Sequence, residues 1–244
     1  MPRDWNARSY DRVSDPMTGW GRTVLDRLTL QGDERVLDAG CGTGRVTAML
    51  RERLPAGTVV ALDGSPSMLA EARTRLGDDR IEYVLADLGR PLPIADPVDA
   101  AFSTATFHWV PDHDALFANL AGAMRPGAPL VAQCGGEGNI ASVLEAVGQV
   151  GYDGPDPFHF AGPDDTRRRL EAAGFVDVET GLHLEPTLLA VEEVEEYLAT
   201  VALGTHLQHV AENDRDGFIR EVAKRLPRPE IDYVRLNITA RRAR

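Results

Sequence analysis

Two rhythms of apolar and polar positions run along this chain. Short runs of β-branched and aliphatic residues fall at 35–38, 58–62, 81–85, 98–103 and 129–133, the length and composition of buried strands. Between them the spacing turns helical. Segment 43–53 sets Val46, Met49 and Leu50 on one face, and Pro66 stands where a helix begins. Leu116, Leu120 and Met124 stripe a third helix, with Asp112 as its N-cap and His113 in its first turn. Strands alternating with helices predict a parallel sheet covered on both faces.

Beyond Gly135, "GPDDTRRRLEAAGFVDVET" reads as helix, glycine stop and a sixth strand, anchored by Leu170 and Phe175. From Val191, the apolar positions Val194, Leu198 and Val201 recur beside Glu192, Glu193, Glu195 and Glu196, which predicts an amphipathic helix with an acidic outer face. "YVRLNITARR" alternates again and predicts a final strand paired antiparallel. The expected architecture is an α/β, Rossmann-like, mostly parallel seven-stranded sheet with helices on both faces, the last strand antiparallel, and helical N-terminal and C-terminal cap elements. One domain is expected over 1–244, with a core at about 30–180, an N-terminal lid at 1–29, and a C-terminal cap with the last strand at 181–244.

Composition narrows the chemistry. A formal net charge of −12 over 244 residues would repel a phosphate backbone, so no nucleic-acid partner is expected. There is no apolar stretch of the roughly 20 residues needed to span a bilayer, and the start "MPRDWNARSYDR" lacks the apolar centre of a secretory signal. No membrane partner and a cytoplasmic location are therefore expected. Two cysteines, Cys41 and Cys134, and six scattered histidines show no metal-ligand spacing. The acidic pairs Asp78–Asp79 and Asp164–Asp165 read as turn and helix-start residues, so no metal is expected. Oligomeric state has no signature in the chain.

The candidate chemistry starts at "VLDAGCGTGRVT". Its glycines at 40, 42 and 44 form G-x-G-x-G, whereas a dinucleotide turn wants its third glycine at 45, where Arg45 stands, and no lysine completes a phosphate loop. Three acids mark successive strand ends: Asp38, Asp63 and Asp87. At the edge of an open α/β sheet, Asp63 is placed to accept both hydroxyls of a ribose, and Asp87 the exocyclic amine of an adenine. The set suits an adenosine carrying a cationic, non-phosphate group.

These stretches resemble the class I S-adenosylmethionine-dependent methyltransferases: "VLDAGCGTG" their glycine motif, "VVALDGSPSMLAEAR" their ribose segment and "YVLADL" their adenine segment, over at least 36–133. The resemblance implies S-adenosylmethionine as cofactor and S-adenosylhomocysteine as product. It puts Gly40, Cys41 and Gly42 at the methionine end and Asp63 at the ribose, with Asp38, Gly64 and Ser65 also among the cofactor-binding residues. Met68, Asp87 and Leu88 fall around the adenine, with Thr104 at the fourth strand end. "FSTATFHWVPDHDALFANLAGAMRPGAPLVAQ" resembles the trans-aconitate methyltransferase-like group, which methylates small carboxylic acids. Trp5, Tyr10, Trp20 and "ALGTHL" resemble that group's substrate-covering parts, so Trp5, Tyr10, Trp109, Thr205 and His206 are candidate lid or substrate residues. His108 has two readings, a catalytic base beside the methyl group or a packed histidine bonded to backbone next to Trp109. The expected activity is methyl transfer to a small-molecule acceptor, at a carboxylate or hydroxyl oxygen. The alternatives are an NAD-dependent oxidoreductase of Rossmann type and a non-catalytic cofactor-binding module.

Overall fold

The computed structural model describes residues 15–244, with side chains from residue 19 onward, so Trp5 and Tyr10 lie outside the described residues. Strands β1 (Arg35–Ala39), β2 (Thr58–Asp63), β3 (Ile81–Leu85), β4 (Ala100–Thr104) and β5 (Pro129–Gly135) pair in parallel. After β6 (Phe175–Leu184), two short strands, β7 (Thr187–Leu188) and β8 (Glu230–Ile231), form a separate antiparallel pair that the periodicity did not announce. The last strand, β9 (Val234–Arg242), inserts antiparallel between β5 and β6, giving the order β3-β2-β1-β4-β5-β9-β6. This is the expected seven-stranded Rossmann-like sheet with one antiparallel strand.

Strand alternation sends successive side chains to opposite layers. Val36 and Val59 pack in one layer with residues of α1 (Asp15–Leu25), α2 (Arg45–Glu52) and α3 (Pro66–Leu76), among them Leu25, Leu50 and Leu76. Leu37 and Val60 pack in the other with Leu116, Phe117 and Leu120 of α4 (His113–Ala123). Burial on both faces explains why these strands read as continuous apolar runs. A third apolar cluster joins α5 (Ala141–Gln149), α7 (Val194–Tyr197) and α8 (Arg215–Arg225), while Leu170 of α6 (Pro163–Ala172) joins the α4 layer.

Local signals set the helix starts. Ser65 caps α3, its hydroxyl accepting from the Met68 N–H with Pro66 at the first position, and Asp112 caps α4 by accepting from the Ala115 N–H at 2.9 Å. The helix expected from residue 43 starts at Arg45, because Gly44, at φ 82°, still belongs to the turn. The helix expected from Val191 is broken into a 3₁₀ turn (Val191–Glu193), α7 and a π turn (Leu198–Ala202). The π turn is closed by the Leu203 N–H to the Leu198 carbonyl at 2.8 Å. Its wider winding brings Leu198 and Leu203, both fully buried, onto one face, which α-helical spacing would not do.

The connection after β1 goes to one side of the sheet and that after β3 crosses to the other, so the carboxyl ends of β1 and β4 flank a crevice. No helix among the described residues is long and apolar enough to cross a membrane.

Candidate active site

The turn after β1 holds Gly40, Gly42 and Gly44 at φ 88°, 54° and 82°, and the amides of Gly40 and Cys41 both reach the Leu62 carbonyl of β2. The three glycines serve different ends. A Cβ on Gly40 would lie 2.1 Å from Thr106 Oγ1, and one on Gly44 would lie 2.8 Å from Leu76 of α3, so these two permit close chain packing. Among the described residues, a Cβ on Gly42 would meet nothing within 4 Å. Gly42 is where bare backbone borders open space.

That space is a cavity of about 530 Å³ over the carboxyl ends of the strands, inside the size range of small-molecule sites. At one end Asp63 is pinned by two backbone amides: Oδ2 accepts from Gly42 at 2.8 Å and Oδ1 from Ser65 at 2.9 Å. These two bonds fix the orientation of the carboxylate at the edge of the cavity. Gly64, Ser65 and Met68 line the cavity beside it, and Asp87, whose Oδ1 accepts from Gly89, lines it with Leu88 and Thr104. Among the described lining residues the acids are Asp63 and Asp87, and the single arginine or lysine is Arg235. Carboxylates next to an open glycine backbone fit a cationic nucleoside and oppose a phosphate.

His108, Trp109 and Thr205 line the other end. His108 is buried in a short 3₁₀ turn, and its Nδ1 accepts the Gly135 N–H at 3.2 Å. Burial, then the Arg235 charge, then His113, push its pKa well below the usual histidine value. The ring is neutral, and with Nδ1 an acceptor its proton sits on Nε2. His108 therefore lines the cavity while its ring is packed and held by backbone, beside Trp109 at 5.0 Å between ring centroids.

Three expected site residues do not line the cavity. Asp38 lies beneath the glycine turn, buried, with Oδ2 accepting from the Thr47 hydroxyl at 2.7 Å. The Cys41 side chain turns into the layer of Leu50, Leu76 and Ile81, because a residue between two glycines of a tight turn faces away from the bare backbone. His206 is buried edge-on against Tyr152, at 5.0 Å between centroids, while its neighbour Thr205 faces the cavity. Of the acidic pairs, Asp78 and Asp79 meet Arg73 and Arg80, and Asp165 meets Arg168 and Arg169.

Burial raises the Asp38 pKa to about 7; the Thr47 hydroxyl opposes this and the Asp63 charge adds to it. The folded chain therefore keeps a proton that the unfolded chain releases near pH 4, so this group's contribution to stability falls as pH rises from about 4 to 7 and is flat above. Asp38→Asn should remove that slope. Melting temperatures of wild type and variant between pH 5 and 7.5 should diverge by several degrees, since about 1 kcal/mol moves a domain of this size by about 2–4 °C. Parallel curves would contradict the assignment.

The cavity also gathers residues that sequence reasoning missed. Arg235 of β9, 4% exposed, directs its Nε toward Gln133 Oε1 at 3.4 Å, and Gln133 in turn donates to Asn237 at 2.9 Å. The Trp20 ring lies over its guanidinium at 4.8 Å. Phe158 and Phe160 stack at 4.9 Å with 13° between planes, and Trp109 lies 4.9 Å from Phe158. Gly135 makes the room, since a Cβ there would lie 2.6 Å from Phe160. That glycine, in "QCGG", was the one available sequence signal.

Comparison with known proteins places this geometry. A family model described as "Methyltransferase domain" matches residues 36–127. The trans-aconitate 2-methyltransferase of Rhizobium leguminosarum bv. trifolii is 31% identical over 233 residues, covering 91% of this chain and 89% of that protein. The enzyme of the same name from Variovorax paradoxus is 39% identical over 130 residues, covering 53% of this chain and 49% of the relative, so that match spans about half the relative's length. Among solved structures, an S-adenosylmethionine-dependent methyltransferase from Mesorhizobium loti aligns with a TM-score of 0.60 at 26% identity, over 93% of this chain and 99% of that one.

Proposed function

The chain belongs to the S-adenosylmethionine-dependent methyltransferase family that includes the trans-aconitate 2-methyltransferases, and on that premise we propose that it methylates a carboxylate oxygen of a small organic acid. The observation that carries the choice of acceptor is the state of His108. Its Nδ1 is taken by the Gly135 amide and its pKa is held low, so the ring facing the cavity donates a hydrogen bond and is a poor proton acceptor. A hydroxyl acceptor needs a base near neutral pKa; a carboxylate arrives ionised.

When bound, S-adenosylmethionine supplies an activated methyl: the acceptor oxygen bonds to carbon as the carbon–sulfur pair returns to sulfur, leaving neutral ester and S-adenosylhomocysteine. The protein's part is alignment and exclusion of water. Asp63, fixed by two amides, would receive the ribose hydroxyls, and the Gly40 and Gly42 backbone would border the methionine end. Met68 would pack on the adenine, with Asp87 and Leu88 at its edge, all three lining the cavity. Trp109 and Phe158 close the acceptor end. The net charge of −12 favours a small-molecule acceptor over nucleic acid, and the reaction is assigned to the cytoplasm.

The test is incubation with methyl-labelled S-adenosylmethionine and a panel of carboxylic acids, phenols and amines. Label should enter the acids and be released as methanol by mild alkali, as an ester requires. Alkali-stable label, in phenols or amines alone, would overturn the carboxylate assignment.

A further inference from the structure

The turn that follows β5 carries a buried amide with one end fixed by backbone. Asn139 lines the cavity and is 4% exposed. The Val234 N–H donates to its Oδ1 at 2.9 Å, which identifies that atom as the oxygen and assigns both amide protons to Nδ2. Nδ2 sits beside Gly135, where a Cβ would lie 2.9 Å from it. We propose that Asn139 binds the acceptor: an Nδ2–H donates to one oxygen of the acceptor carboxylate, beside the Nε2–H of His108. This rests on the carboxylate reading above and adds a residue that selects the acid.

Among the described residues, neither Asn139 Nδ2 nor His108 Nε2 has a hydrogen-bond partner. The side-chain atoms sealed in the core without one are His113 Nδ1, His159 Nε2, Thr166 Oγ1 and His206 Nδ1. The two donors of the site are not sealed: they belong to residues that line the cavity, and they open on it. A donor inside a protein is costly to leave unpaired, and an acid oxygen would pair both.

Contacts lead stepwise from the glycine turn to this amide. The Thr106 hydroxyl donates to the Gly40 carbonyl at 3.3 Å, His108 stands two residues further on, and its Nδ1 takes the Gly135 N–H. In the sheet β1, β4 and β5 are neighbours, so the ends of β1 and β5 are two strand spacings apart, about 10 Å. An acid between them can turn one oxygen toward the methyl group and the other toward Asn139. The turn is also held in place. The Asn139 N–H donates to the Gly136 carbonyl at 2.9 Å and the Ile140 N–H to the Asp232 carbonyl at 3.0 Å. The Ser142 N–H and hydroxyl donate to the Asp232 carboxylate at 2.9 and 2.6 Å. These bonds hold Ile140 at a φ of 50°, which β-branched residues avoid, so the donor is placed before the acid arrives.

The oxygen held by Asn139 becomes the ester carbonyl, while the other bonds to carbon as the carbon–sulfur pair returns to sulfur. The acid's charge strengthens the hydrogen bond before transfer and is gone afterwards, so the ester is held less tightly than the acid.

The experiment uses the full chain, methyl-labelled S-adenosylmethionine, and trans-aconitate, octanoate and 3-phenylpropanoate as acids. Asn139→Asp keeps an oxygen for the Val234 amide but turns the cavity-facing group from donor to acceptor. At about pH 8.5, with that group ionised, it should raise KM for the best wild-type acid by about 30-fold or more, the worth of one hydrogen bond to a charged group. S-adenosylhomocysteine affinity should stay within threefold and the melting temperature within a few degrees. Asn139→Ala should show the same KM loss and also melt lower, because it strips the Val234 amide of its acceptor. A KM within threefold of wild type for Asn139→Asp would reduce Asn139 to a support for β9 and overturn the proposal while sparing the carboxylate reading. Transfer to no acid by protein that binds S-adenosylhomocysteine overturns both. Should neither variant fold, a crystal structure of wild type with S-adenosylhomocysteine and the best acid decides. An acid oxygen within about 3.2 Å of Nδ2 supports the proposal, and an acid bound with no oxygen in reach of Nδ2 overturns it.

Discussion

Asp63→Ala is expected to weaken S-adenosylhomocysteine binding by at least 100-fold. Hydrogen bonds to a charged acceptor contribute about 1.5–3 kcal/mol each, and a ribose diol would make two, so the loss is about 3 kcal/mol or more, or two orders of magnitude. The same change frees the Gly42 and Ser65 amides, which now fix the turn on one side and the start of α3 on the other. Asp63→Asn keeps one oxygen for an amide and loses the charge, so it should fall between wild type and alanine. Titration calorimetry measures both. A change of less than threefold for Asp63→Ala would remove the carboxylate from the ribose site.

Neighbouring glycines of the turn should fail in opposite ways. Gly40→Val places a branched side chain on Thr106 at a φ of 88°, combining overpacking with a backbone that β-branched residues avoid. Each term costs about 1–3 kcal/mol, so the melting temperature should fall by about 10 °C or more, with the cavity lost as well. Gly42→Ala meets no atom of the described residues within 4 Å, at a φ of 54°, and places a methyl group at the cavity lining. It should cost only a few degrees while lowering S-adenosylhomocysteine affinity at least tenfold. Equal thermal effects from the two substitutions would contradict the distinction.

The half of the site that takes the nucleoside was legible because local rules build it. Strand ends, turn glycines and terminal acids lie within a few residues of one another, and the sheet's topology brings Gly42, Asp63 and Asp87 together without help from distant chain. Asp38 shows the limit, since its place at a strand end was readable but its burial against Thr47 was not. The acceptor half is assembled from remote segments. Arg235 shares a face of β9 with Asn237, Thr239 and Arg241, and alternation alone assigns that face to solvent. Trp20 covers it from more than two hundred residues away, and Gln133 meets it across the β5–β9 pairing. Phe158 and Phe160 lie outside helix and strand, where no period points to their partners, and the π turn that seats Leu203 has no periodic signature either.

The central claim is that the open glycine turn and the amide-pinned Asp63 hold an S-adenosyl group. Calorimetric titration of the full chain with S-adenosylhomocysteine, run beside NADH, tests it directly. One equivalent of S-adenosylhomocysteine should bind with micromolar or tighter affinity and raise the melting temperature, while NADH gives no saturable heat. Saturable NADH binding with no heat from S-adenosylhomocysteine would contradict the account.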